Sequence, residues 1–150
     1  MKYCTSFITT VLIMFCISTM PVMPQSSSDG QYWKEMKRNK FFVSYYNLEM
    51  LVAAKGEVFD LAVKTGYNSE QTMPGLDRGY FTEVIVYTIS LKDVKYLIKK
   101  ATYLDGNGVI LKNFDYFTGD NPDPSRMLPI TKGSPVYDLI VLHRIIHGKN

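Results

Sequence analysis

YLDGNGVI, residues 103–110, decides the fold, because two incompatible structures begin from the same letters. Asp-Gly-Asn-Gly is the sort of run found at the centre of a calcium-binding EF-hand loop. That loop needs oxygen ligands at positions 1, 3, 5, 7, 9 and 12, a bidentate Glu at the last, and Gly at position 6. With Gly108 at position 6, Asp105 and Asn107 fall on positions 3 and 5, which fits. Position 1 is then Tyr103 and position 12 is Phe114, so the two anchoring ligands are aromatic rings. The alternative is a turn. Asp, Asn and Gly tolerate the positive φ of a tight hairpin, and the flanks ATYL and VIL are strand-like. Residues 103–110 therefore predict a β-hairpin, with Gly108 as a structural glycine and no metal.

Working outward, the segment upstream of the turn has two readings. Ser90-Leu91-Lys92-Asp93 resembles a capping box that opens a helix with Leu91, Val94, Leu97, Ile98 and Ala101 on one face. Equally, 94–104 reads as a strand with Val94, Tyr96 and Ile98 on one side. Its β-branched and aromatic content favours the strand. Residues 82–89 (TEVIVYTI) predict another strand, and 57–65 (EVFDLAVKT) alternates as a half-buried strand does. Between them, 66–79 carries Asn68, Ser69, Pro74 and Gly75 and reads as a long surface loop. Residues 47–55 fit one or two helical turns closed by Gly56. Residues 32–36 and 41–46 are short aromatic strands joined by a polar turn. At the far end, Gly133, Ser134 and Pro135 announce a helix: Ser134 as N-cap, Pro135 at the first helical position, Gly148 as the stop. Val136, Leu139, Ile140 and Ile146, with His143 partly, would form its buried stripe. The expected fold is α+β, an antiparallel sheet of five or six strands with one C-terminal helix on one face.

The first 25 residues read as a secretory signal, with Lys2 ahead of the apolar run FITTVLIMFCI (7–17) and a polar, Pro-containing stretch after it. The alternative is an uncleaved anchor, which the Thr, Ser and Pro residues of this stretch make a poor spanning helix. Both cysteines, Cys4 and Cys16, lie in this segment, and Cys16 lacks the small residues that precede a lipidated cysteine. The remaining domain, 26–150, is thus cysteine-free. At about 125 residues it can bury roughly two-thirds of its unfolded surface and needs no disulfide. A net charge of +3 is too small to point to nucleic acid. The expectation is an exported protein, periplasmic or at the cell surface, with no stable membrane span once the signal is removed.

Candidate chemistry is sparse. His143 and His147 have the spacing that places two imidazoles on one zinc, but Arg144 stands where a zincin has its Glu, and these are the only 2 histidines. No G-x-S-x-G nucleophile turn is present. Asp115, Asp120 and Asp123 gather in DYFTGDNPDPS (115–125), where the prolines mark an ordinary loop. The alternative to a binding protein is therefore a small metal-dependent or hydrolytic enzyme using His143 with His147 or the 115–123 loop. The chain has 11 tyrosines, a residue enriched in protein interfaces. Tyr45, Tyr46, Tyr67 and Tyr80 are the candidate partner-binding residues; no catalytic, cofactor or metal residue is assigned.

In order, the landmarks resemble the surface-adhesin protein E-like family of small exported bacterial proteins. These landmarks are Trp33, the YYN at 45–47, the strand after Gly56, the Y-x-D-x-x-G of Tyr103, Asp105 and Gly108, and PITKGS at 129–134 opening the last helix. The resemblance covers roughly 31–147. Members often carry a cystine tying a central strand to the terminal helix. Its positions would fall near Leu91 and near Leu142 or His143, and neither is cysteine here. The resemblance implies an antiparallel sheet covered by a C-terminal helix, with Trp33 in a structural role. It also implies an exported, non-enzymatic protein that binds a protein partner, such as an extracellular host protein.

Overall fold

The computed structural model describes residues 32–119 and 122–148. The proposed signal, both cysteines and Asp120 lie outside these residues. Six strands run as an antiparallel meander in sequence order: β1 (Trp33–Arg38), β2 (Phe42–Asn47), β3 (Val58–Gln71), β4 (Tyr80–Ser90), β5 (Lys95–Leu104) and β6 (Ile110–Asp115). A seventh, the two-residue β7 (Leu128–Pro129), pairs with the start of β5, while β6 pairs with its end. Helix α1 (Leu48–Ala53) links β2 to β3, and α2 (Pro135–His147) closes the chain. The architecture is the expected one, an antiparallel sheet with a C-terminal helix, with seven strands rather than five or six. Among the described residues no helix is long and apolar enough to cross a membrane.

The 103–110 turn is a hairpin between β5 and β6. The Asp105 carboxylate accepts the amide N–H of Asn107 and of Val109, both at 2.9 Å, so it serves the turn. Gly108 has φ +80°, where a Cβ is strained. Gly108→Val should cost about 2 kcal/mol in a thermal or urea melt. Gly66 offers the contrast: it lies in β3 without a positive φ, and a Cβ there meets nothing within 4 Å. Gly66→Ala should be neutral or raise stability by up to about 1 kcal/mol, since it restricts the unfolded chain. Equal losses from both changes would contradict this turn geometry.

Two expectations are corrected, and one open choice is decided. The long loop at 66–79 is only its second half, because β3 runs on to Gln71. Turn-forming residues at 66–69 are overridden by pairing: Gly66 and Tyr67 lie opposite Val43 and Phe42 of β2, and Asn68 binds the carbonyls of Phe41 and Lys40. At 90–93 the choice falls to the favoured strand: the capping-box residues close a turn, and β5 rather than a helix follows. The Ser90 hydroxyl pairs with the Asp93 carboxylate at 2.8 Å and accepts the Asp93 N–H, and Val94 takes φ +52° before β5 begins. Lastly, Ile146 is 38% exposed and not on the buried stripe of α2. That stripe is Val136, Leu139, Ile140 and His143, the i, i+3, i+4, i+7 set of an amphipathic helix.

The start of α2 is built as its sequence implies. The Ser134 hydroxyl accepts the Tyr137 N–H at 3.2 Å, and Gly148 ends the helix in a left-handed conformation; such an N-cap contributes about 1 kcal/mol. Strand alternation then fixes the two sides of the sheet. Phe59, Leu61 and Val63 of β3 with Tyr87 and Ile89 of β4 meet Leu51 of α1 and the α2 stripe, forming the main core. A second cluster, Tyr80, Ala101 and Tyr103, continues along the same side beyond the helix, and Ile85 packs against both.

Candidate functional site

The four candidate tyrosines do not form one surface. Tyr46 packs against the main core and Tyr67 against the second, where Tyr80 is itself buried at 8% exposure. Only Tyr45 faces the other side of the sheet. Sequence alternation separates Tyr45 from Tyr46, but nothing in the letters says which side a helix covers.

On the helix side, aromatic rings form a row across five strands. Phe42, Tyr67, Tyr80, Tyr103 and Phe114 meet edge to face, with centroid separations of 6.4, 5.8, 4.8 and 6.0 Å, and Phe114 stacks on Tyr116 at 5.9 Å. Edge-to-face geometry suits the ring quadrupoles. Met73 and Leu76, from the connection after β3, pack against this row, so part of the expected surface loop is partly buried. Burial pushes the phenol of Tyr67 well above its ordinary range and that of Tyr103 up to about 12. The Tyr67 hydroxyl donates to Glu83 Oε1 at 2.7 Å. Burial raises the Glu83 carboxyl above its usual value, and the Tyr67 hydrogen bond opposes the shift. Glu83 was invisible to sequence reasoning: a single acid in TEVIVYTI looks like any solvent-side strand residue.

Among the described residues the other side of the sheet is open. Trp33 of β1, Val43 and Tyr45 of β2, Val84 and Val86 of β4 and Leu97 of β5 are half-buried there and belong to neither core. Among the described residues neither helix packs on them. Charged pairs surround them: Arg38 with Glu35 at 2.7 Å, Lys99 with Asp60 at 2.7 Å and Lys100 with Asp115 at 3.8 Å. Thr88 also donates to Asp60 at 2.6 Å, and Lys64 lies over the Trp33 ring at 5.9 Å. Trp33, expected to be structural, thus sits on the open face near the β1 edge.

The histidines are adjacent, with ring centroids 4.4 Å apart. His143 Nε2 lies 3.1 Å from the Ala54 carbonyl, and His147 Nε2 lies 2.8 Å from the Leu51 carbonyl. Both rings therefore tie the end of α1 to the end of α2, and a zinc ion held by both Nε2 atoms would have to break both contacts. Burial lowers the pKa of His143 below its usual value, the hydrogen bond to Ala54 works against this, and His147 and Arg144 add to it. In the 115–123 stretch, Asp115 ends β6 and pairs with Lys100. Asp123 accepts the Ser125 N–H at 2.9 Å, capping the turn Pro124–Arg126. Among the described residues no three His, Cys, Asp or Glu side chains gather as metal ligands would. Set against known protein families, characterised proteins and solved structures, the chain finds no match in any of the three.

Proposed function

We propose that this chain is an exported, non-enzymatic binding module that holds a protein partner against the open face of its sheet. The observation that carries this reading is the uncovered strip of Trp33, Val43, Tyr45, Val84, Val86 and Leu97 ringed by ion pairs. An aromatic and aliphatic centre within a charged rim is the composition of a protein interface. The rim charges are paired with opposite charges, which fits a protein better than a nucleic acid.

A relation to surface-adhesin protein E-like proteins is part of the proposal, and one geometric fact supports it. The residues at the positions where that family's cystine would fall border the same core. Leu91 and Leu142 pack against the same core, and Leu91 and His143 line one cleft. On this reading apolar packing takes the place of a crosslink, the partner is an extracellular host protein, and the first 25 residues direct export.

The test is binding of the purified protein to a panel of immobilised extracellular-matrix proteins, with Val86→Lys and Ile145→Lys compared. Ile145 is 71% exposed on the outer side of α2. Loss of binding of tenfold or more with Val86→Lys alone is expected, since a lysine placed within an apolar contact opposes docking. Equal binding by both variants and wild type would overturn the open-face assignment.

A further inference from the structure

On the helix side a cleft of about 320 Å³ opens between the Phe42–Tyr67 pair and the start of α2. Glu83 and Val63 line it from the sheet, Pro135 and Asp138 from the helix. We infer that this cleft binds a primary alkylammonium group, with the Glu83 carboxylate as its counter-ion and the Phe42–Tyr67 pair as its wall.

Three observations converge on that chemistry. First, Glu83 is half-buried, yet among the described residues its only side-chain partner is the neutral Tyr67 hydroxyl on Oε1. Oε2 has no side-chain hydrogen bond or ion pair among the described residues, and it is not sealed from solvent, because no fully buried side-chain oxygen lacks a partner. A partly desolvated carboxylate is best stabilised by a cation. Second, the adjoining walls are aromatic and aliphatic. Ring faces attract a cation, and Val63 and Pro135 suit its apolar stem. Third, Tyr67 occupies one carboxylate oxygen. That leaves a single acceptor, matched to the point charge of an ammonium rather than to the two-pronged guanidinium, which seeks both oxygens.

Lys37 also lines this cleft but makes no ion pair with Glu83 or Asp138 among the described residues. It is a like charge that an incoming ammonium must displace or tolerate. The cleft lies on the opposite side of the sheet from the open face, so it stands independently of any partner docked there.

The experiment is a ¹H–¹⁵N NMR titration of the purified protein with n-butylammonium, with Nα-acetyl-lysine methylamide and with n-butanol. Saturable shifts are expected at the amides of 65–67, 83, 133, 134 and 136–138 with n-butylammonium and none with n-butanol. Glu83→Gln keeps an acceptor for Tyr67 and should weaken binding about tenfold, whereas Lys37→Met should strengthen it by about threefold. Binding of the lysine derivative as well would identify a protein side chain as the source of the ammonium. Binding of the free amine alone would identify a small-molecule amine. Shifts of equal size with n-butanol, unchanged binding in Glu83→Gln, or no saturable shift with either ammonium would overturn the inference.

Discussion

Leu139→Ala should lower the unfolding free energy by about 3 kcal/mol, within the range seen when a fully buried leucine is truncated. Leu139 is 0% exposed and sits in the middle of the α2 stripe, between Val136 and His143. Opposite it the sheet offers Phe59, Leu61 and Ile89, and Leu51 of α1 closes the same cluster. Rigid strands with paired backbones cannot collapse into the space left behind, so both transfer and cavity contributions remain. Ile145→Ala, on the outer side of the same helix and 71% exposed, should change stability by less than about 0.5 kcal/mol, aided by alanine's higher helix propensity. Urea denaturation of the two variants measures the difference directly. A small loss at Leu139 with a large one at Ile145 would mean that α2 packs by its other face.

The two variants also mark where the sequence is readable. The face of α2 follows from period: Val136, Leu139 and Ile140 are apolar at helical spacing, and Ser134, Pro135 and Gly148 state the ends locally. Ile146 misled because it sits at the margin of that stripe, where a change of helix rotation decides burial. The hairpin at 103–110 was legible for a similar reason, since Asp105 and Gly108 satisfy the turn with their own atoms. Gly66, Asn68 and Ser69 carry the same local signals, yet β3 continues through them. Their structure is set by β2, more than twenty residues away in sequence, through pairs such as Val43 with Gly66. Local chemistry fixes turns only where no neighbouring strand competes for the backbone.

The candidate sites obey the same division. Alternation puts Tyr45 and Tyr46 on opposite sides of β2, but the side that becomes core depends on where α1 and α2 settle. Tyr80 looked like contact surface and is instead a link in the aromatic row. Glu83 gained its character from neighbours on β3 and β5 that only the register brings together. Tyrosine count points to aromatic contact, and the fold spends most of it internally. The strip left open is assembled from one or two residues on each of four strands, a pattern without a linear signature.

His143→Ala should cost about 3 kcal/mol, through lost ring packing and an orphaned carbonyl, and the same residue should make stability depend on pH. His143 is 8% exposed, and its ring stacks on Phe59 at 4.5 Å and holds the Ala54 carbonyl. Burial favours its neutral form, so its folded pKa lies below the ordinary value of 6.5. Between the depressed folded value and 6.5 the unfolded chain binds more protons, and stability therefore rises with pH in that window. The contribution is fully present above 6.5 and is lost as pH falls through the folded pKa. His147, Arg144, Lys55, Lys92 and Glu57 line the cleft beside it; charging His143 adds a cation next to Arg144, Lys55 and Lys92, with Glu57 the one opposite charge. Glu83 acts in the opposite sense, because its folded pKa is raised and its contribution is lost as pH rises. The measurement must therefore be a difference: urea midpoints of wild type and His143→Gln from pH 5 to 8. Glutamine donates a hydrogen bond without titrating, so the gap between the two proteins should narrow as pH falls below 6.5. A gap that stays constant across the range would show that His143 does not report acid to the junction of α1 and α2.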